Sequence, residues 1–300
     1  MPPQDSLSLD GRVAVVTGAG AGLGRAEATA LARAGATVVL NDLPGAADEA
    51  AEEVRSLGSQ AVVVAGDVGE RSTADAMLAA AVDLGGLDIV VNNAGVLRDK
   101  MLFNMTDEDW DLVLKVHLRG HFLLSRNAAS YWRGKYKETG KPVYGRVVNT
   151  TSEAFLVGSP GQPNYSAAKA GITALTLSMA RGLSRAGVRA NAIAPRARTA
   201  MTAEVFGADE SGKAVDPYSP DHVAPLVAYL ASPAADRING QVFVVYGGMV
   251  ALLAAPVVEE RFDADGDTWD LAGLDASLGG YFATRDPALS FAADSVMTLA

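Results

Sequence analysis

Cysteine is absent from the 300 residues. That excludes disulfide scaffolds, thiolate metal sites and cysteine nucleophiles together, and it is compatible with a reducing compartment. An excess of cations is absent too: Lys and Arg number 25 against 35 Asp and Glu, a formal net charge of −10. A nucleic-acid groove or a polybasic membrane anchor needs clustered cations against phosphate, so neither nucleic acid nor membrane is an expected partner. The apolar stretch at residues 242–258 falls just short of the ~18 residues a membrane span needs, and Gly247, Gly248 and Pro256 interrupt it. The start, MPPQDSLSLDGR, has neither the cationic nor the apolar region of a secretory leader. A soluble, cytoplasmic protein is expected.

What is present points to a folded α/β chain. Hydrophobic residues make up 49% and charged residues 20%, ample for a core and too few charges for a disordered polyelectrolyte. The 31 glycines exceed the usual share, so tight turns or close backbone–ligand approaches are expected. Short β-branched runs at 12–17, 37–42, 61–66, 87–92, 146–151, 188–194 and 241–246 read as strands. Their nearly continuous apolar character suits parallel strands buried on both faces. Ala/Leu-rich segments between them, such as 23–34 and 46–57, are long enough for crossover helices. Seven strands with helices between them predict a doubly wound, seven-stranded parallel sheet with helices on both faces. Residues 1–248 form that domain. The remaining 249–300 are too short for a second core and are expected to pack on it or on a neighbouring subunit.

A glycine cluster, Thr17-Gly18-Ala19-Gly20-Ala21-Gly22-Leu23-Gly24, follows the first strand and opens the first helix. Such a turn lets the backbone approach a pyrophosphate that sits on the helix N-terminus and its unpaired N–H groups. Asp42 ends the second strand about 20 residues on. A carboxylate there can accept from a ribose diol and would repel a 2′-phosphate, while Ala21, before Gly22, offers no cation to such a phosphate. NAD is therefore the expected cofactor, with a solvated strand-end acid as the plainer reading of Asp42.

The order of motifs resembles the short-chain dehydrogenase/reductase family, whose fold is Rossmann-type. After the glycine loop (Gly18, Gly22, Leu23, Gly24) come Asp67-Val68, where the family contacts adenine, and Asn92-Asn93-Ala94-Gly95, where it lines the cofactor cleft. Ser152, Tyr165 and Lys169 hold its catalytic spacing. The resemblance covers about residues 9–248 and implies an alcohol/ketone oxidoreductase. Finer marks at 93–100, 107–111, 116–120, 161–165 and 193–195 are similar to the (3R)-hydroxyacyl-CoA dehydrogenase module of peroxisomal multifunctional enzymes. Actinobacterial 17β-hydroxysteroid and sterol side-chain acyl-CoA dehydrogenases with a C-terminal extension are similar too. The implied substrate is a 3-hydroxyacyl-CoA or a sterol derivative. Alternatives are a 3-oxoacyl-[acyl-carrier-protein] reductase, a hydroxysteroid dehydrogenase, or a binding protein that senses dinucleotide without chemistry. The resemblance also implies a homodimer or homotetramer through the helices carrying Trp110 and Tyr165 and the last strand.

The chemistry fits these side chains. A tyrosine of pKa about 10 is a poor base at neutral pH unless a cation favours its phenolate. Tyr165 and Lys169 stand at i and i+4, so the ammonium can lie beside the phenol. Ser152 can hold the substrate oxygen, and the family's lysine also binds the nicotinamide ribose.

Two departures stand out. His117 replaces an asparagine that serves the family's proton relay; imidazole can take over that role or simply pack the helix. With His121 it has the spacing of a metal pair, but no third ligand is evident, so no metal is expected. After the sixth strand the family's Pro-Gly becomes Pro195-Arg196, and Thr199 is the candidate for the nicotinamide carboxamide. Arg196 and Arg198 read either as contacts for an acyl-CoA phosphate or as solvated charges on a mobile substrate lid at 197–218.

Overall fold

The computed structural model describes residues 6–202, 216–287 and 289–299, so most of the expected lid at 197–218 (residues 203–215) lies outside the described residues. The chain alternates strand and helix: β1 (Val13–Thr17), α1 (Gly22–Arg33), β2 (Thr37–Asp42), α2 (Asp48–Ser56), β3 (Ala61–Ala65), α3 (Arg71–Asp83) and β4 (Ile89–Asn92). Then come α4 (Asp107–Leu114), α5 (Gly120–Thr139), β5 (Gly145–Thr150), α6 (Ala154–Val157), α7 (Pro163–Leu183), β6 (Val188–Pro195), α8 (Ala224–Ala231) and β7 (Val242–Tyr246). All seven expected strands form, in the parallel order β3-β2-β1-β4-β5-β6-β7.

Side-chain alternation explains why these strands are apolar throughout. Ala14, Val16, Val38, Leu40, Ile89 and Val91 point to one face, against Leu31 of α1, Val54 of α2 and Leu230 of α8. Val13, Val15, Val39 and Val90 point to the other, against Met77 of α3, Leu124 and Trp132 of α5 and Met179 of α7. Trp132 is buried and donates its indole N–H to Leu87 O at 2.6 Å. The central strands β1, β4 and β5, buried throughout, thus meet a helix layer on each face, the arrangement that right-handed crossovers impose.

The sheet has one strand more than expected. β8 (Met249–Leu252) turns back after Gly247 and pairs antiparallel with β7, with Phe243 opposite Leu252. The apolar stretch from residue 242 is therefore a hairpin for its first eleven residues, which a two-residue turn permits and a parallel crossover does not. The expected boundary after Gly248 falls inside this hairpin; the chain divides into compact units at Met1–Leu253 and Ala254–Ala300.

The second unit holds α9 (Leu271–Leu274) and α10 (Gly280–Thr284), joined through a π turn at Asp275–Gly279. Asp270 caps α9 by accepting the Gly273 amide at 2.7 Å. Arg285 pairs with Glu259 and donates to the Tyr281 hydroxyl at 2.9 Å, and Phe262 meets the Tyr281 ring edge-on at 5.3 Å.

Among the described residues no helix is long and apolar enough to cross a membrane.

Candidate active site

The glycine loop joins β1 to α1 as expected. Gly22 has φ +54°, a left-handed value that side chains disfavour. Gly24 is held by contact: a Cβ there would strike the Gly18 carbonyl and lie 2.6 Å from the Asn93 amide nitrogen. The α1 N-terminus has Ala21 as its cap, with no side-chain cap bond and no acidic residue in the first turn. Its amide dipoles thus lie open to an anion. This end of the molecule fits a dinucleotide pyrophosphate, with Gly18, Gly22, Leu23 and Gly24 as its backbone cradle.

Around the loop the other expected cofactor residues converge. Asp42 accepts the Gly20 amide at 2.9 Å and the Leu43 amide at 2.8 Å, one on each carboxylate oxygen. Asp67 accepts the Gly69 amide at 2.7 Å and faces the Lys115 ammonium at 2.9 Å. Burial pushes the Asp67 carboxyl up, but the Lys115 and Gly69 hydrogen bonds with the Lys115 charge outweigh it, so its pKa falls below the ordinary value. Val68 is buried against Gly120. Asn93 and Ala94 are anchored to Thr17, the first residue of the glycine cluster: the Thr17 hydroxyl accepts both backbone amides, at 3.0 and 3.1 Å. The Asn93 side chain donates in turn to Thr17 O at 3.1 Å. The glycine-cluster spacing marks Thr17 in the sequence, but its partner on the neighbouring strand lies 76 residues away.

The catalytic candidates gather at the ends of β4 and β5. Ser152 follows β5 and accepts the Ala154 amide at 3.2 Å. Tyr165 and Lys169 lie on α7, with the Lys169 nitrogen 5.3 Å from the phenol ring centre. Lys169 is 2% exposed and donates to Thr150 O at 2.6 Å.

Burial dominates both charge states. It pushes the Tyr165 hydroxyl up to about 12; a hydrogen bond from Ser152 opposes this and the Asp99 charge adds to it. Burial alone brings Lys169 down to about 7. The expected cation-stabilised phenolate is therefore not the resting state of these groups. The lysine that should favour it is itself desolvated.

Asn164, fully buried, is a further residue for which the sequence proposes no role, although it lies in the 161–165 mark. Its amide donates to Arg98 O at 3.1 Å and Asp109 O at 3.2 Å, and its oxygen accepts the Tyr165 amide at 2.7 Å. It thereby fixes the start of α7 to the segment after β4 and to α4. Its clues in the sequence are the 161–165 mark and its adjacency to Tyr165.

His117 sits in a π turn, Lys115–Arg119, that joins α4 to α5. The ring presses on Gly95, where a Cβ would collide with it, and meets the Tyr165 ring edge-on at 5.2 Å. Nε2 lies 2.8 Å from Val96 O and 3.0 Å from Val96 N, and Nδ1 is buried with no hydrogen-bond partner. Burial and then the Lys169 charge hold His117 well below its ordinary pKa, against the hydrogen bond to Val96. His121 is brought down to about 3 by the same first two causes. Among the described residues no group of three His, Cys, Asp or Glu could hold a metal.

Pro195 ends β6 as expected. Thr199 lies near Gly22: a Cβ on that glycine would be 3.2 Å from the Thr199 methyl. Its methyl therefore faces the glycine loop, while its hydroxyl is 3.2 Å from that of Thr202. Arg196 and Arg198 depart from the expectation of solvated lid charges. Arg196 forms a bidentate pair with Glu153 at 2.7 and 2.8 Å, and Arg198 lies 3.5 Å from Asp216. Side-chain exposures of 16% and 19% make neither a solvated lid charge, and each already faces a carboxylate. Asn149, which begins a glycosylation-like triplet, is fully buried and bonded to Asn92 and Thr176, so no glycan can sit there.

The chain is 61% identical to hydroxyacyl-CoA dehydrogenase ChsB1 of Mycobacterium tuberculosis, over 98% of this chain and 95% of that protein. It is 40% identical to peroxisomal multifunctional enzyme type 2 of Mus musculus, over 82% of this chain but only 33% of that longer protein. A crystal structure of a short chain dehydrogenase from Mycobacterium avium superposes with a TM-score of 0.83 at 40% identity, covering 95% of this chain and 99% of that one. Residues 12–210 match the short chain dehydrogenase family as a whole, and the chain belongs to that family.

Proposed function

We propose that this oxidoreductase interconverts a 3-hydroxyacyl-CoA, with an acyl chain that can be sterol-derived, and its 3-oxo form, using NAD. The observation that carries the reaction is the meeting of the Ser152 hydroxyl, the Tyr165 phenol and the Lys169 amine beside the glycine-loop cleft. The nicotinamide cofactor, when bound, accepts or supplies the hydride. Ser152 hydrogen-bonds the substrate oxygen and holds it near the phenol. In ketone reduction Tyr165, protonated well above neutral pH, donates its proton to that oxygen. In the reverse direction Tyr165 must first release its own proton, and the phenolate then takes the alcohol proton; burial makes that ionisation costly and an ammonium form of Lys169 eases it. His117 is the candidate that returns protons toward the surface, through an imidazole held neutral by burial.

Asp42 supports NAD over NADP, because its carboxylate already stands at the loop amides where a 2′-phosphate would come. The 61% identity to a protein named hydroxyacyl-CoA dehydrogenase, over nearly its whole length, supports the thioester substrate. Trp110 and Phe122, exposed on α4 and α5, support a homo-oligomer through those helices.

A panel of 3-oxoacyl-CoA thioesters, the matching acyl-carrier-protein thioesters and steroid ketones, run with NADH and NADPH in parallel, tests the reading. The acyl-CoA should win over its steroid analogue by at least about tenfold in kcat/KM, ~1.4 kcal/mol in the transition state, with NADH the better donor. Equal values for thioester and steroid overturn CoA recognition, and preferred turnover with NADPH overturns the role given to Asp42.

A further inference from the structure

Ser152 is placed by its neighbours on both sides. Before it, Thr151 donates its amide to Ile193 O at 2.7 Å and its hydroxyl to Lys169 O at 2.9 Å. After it comes Glu153, whose carbonyl accepts the amides of Leu156 and Val157 at 2.8 and 3.1 Å and so opens α6. The Glu153 carboxylate reaches across to Arg196, at the end of β6, in two parallel bonds. Both side chains are mostly buried, at 14% and 16% exposure.

The arginine is itself held. Its backbone amide donates to Val245 O at 3.0 Å, its guanidinium lies 5.1 Å from the centre of the Tyr246 ring, and Tyr246 stacks on Tyr218 at 5.6 Å with planes 12° apart. A planar guanidinium with two bonds to one carboxylate, backed by an aromatic face, fixes orientation as well as distance. A glycine at 196, which the family resemblance leads one to expect, could make neither contact.

We propose that the Glu153–Arg196 pair is the positioning clamp of Ser152. It ties the loop after β5 to the ends of β6 and β7, and so sets where the Ser152 hydroxyl meets the substrate oxygen. The clamp rests on the role proposed above for Ser152. It acts through that residue and touches neither substrate nor cofactor. Its signature is a fall in kcat with little change in substrate KM or in NADH affinity, since a small misplacement of a reacting group is enough to slow the reaction.

The test uses the intact protein with Arg196→Met, Arg196→Lys, Glu153→Gln and Ser152→Ala, alone and in the double variant Arg196→Met/Ser152→Ala. Arg196→Met should lower kcat about 10- to 100-fold while KM and the NADH Kd, read by fluorescence, stay within about threefold. Arg196→Lys should fall between, because an ammonium keeps the charge and loses the parallel bonds. Amide exchange at Leu156 and Val157 should quicken in Arg196→Met.

The double variant should be scarcely slower than Ser152→Ala, because a clamp has nothing to place once the hydroxyl is gone. Full additivity, or an Arg196→Met enzyme within about twofold of the parent kcat, overturns the clamp. Where Arg196→Met does not fold, Glu153→Gln combined with Ser152→Ala carries the same comparison. Unimpaired turnover by Ser152→Ala overturns the role of Ser152 itself, whereas a slow Ser152→Ala beside an unimpaired Arg196→Met overturns only the clamp.

Discussion

At the end of β1 the chain prepares a site with backbone; at the end of β5 it prepares one with buried side chains. The first half of the cleft offers the uncapped amides of α1, brought close by Gly24 packed on Gly18 and Asn93. The second half offers Tyr165, Lys169 and His117, and in all three burial is the largest cause of the shifted pKa. Backbone dipoles do not titrate and lose little on being covered, so they suit an anion that must bind over a range of pH. Side chains that move protons must hold a perturbed pKa, and desolvation is how this fold perturbs them. The contrast also explains how a chain of net charge −10 can receive an anionic cofactor: the attraction is local and comes from peptide groups.

The largest expected break in this division is Tyr165→Phe. It removes the only proton carried by that ring and should lower turnover by about 10³-fold or more, within the range for a lost general acid, while NADH binding by fluorescence stays near normal. Comparable turnover would move the proton step to another residue, with His117 next in line.

A second prediction concerns the exception to the comparison. Glu27 lies on α1, in the backbone-built half, yet is fully buried with neither carboxylate oxygen hydrogen-bonded, and burial pushes it up to about 8. The folded state therefore binds a proton that the unfolded state has released above pH ~4.5. Stability from this group is complete below that value and is lost as pH rises toward about 8. Glu27→Gln should flatten the loss, gaining up to roughly 5 kcal/mol at pH 9 and little at pH 4.5 by urea unfolding. Parallel pH profiles for the two proteins would show that water or a rearranged partner satisfies the carboxylate.

The smallest effect should come from Gly24→Ala. Its methyl must displace the Gly18 carbonyl, a strain of about 1–3 kcal/mol for an overpacked contact. NADH affinity should weaken about 5- to 100-fold, with kcat at saturating NADH largely kept. Loss of kcat with unchanged affinity would mean that the two halves are not separable.

Much of this site is legible in the sequence. The glycine spacing, Asp42 at a strand end and the i, i+4 pair Tyr165 and Lys169 are local patterns, and each lands where the pattern places it. What the sequence does not disclose has a common cause. Thr17 acts on Asn93 and Ala94, Asn164 on Arg98 and Asp109, and Arg196 on Glu153. Each pair joins segments that meet only after folding, so no local pattern carries the contact even where its residues are marked. Arg196 stands out in the sequence as a departure, but its meaning depends on a carboxylate 43 residues away.

The sequence by itself determined the alternation of strand and helix, the two-faced burial of the parallel strands, and the order of chemical groups along the chain, because hydrophobic period and turn residues act over a few neighbours. Only the tertiary structure decided the antiparallel β8, the burial that shifts Tyr165 and Lys169, the pairing of Glu153 with Arg196, and the burial of Glu27. Those depend on which groups lose water and which gain a partner when distant segments close on one another, and no local pattern carries that information.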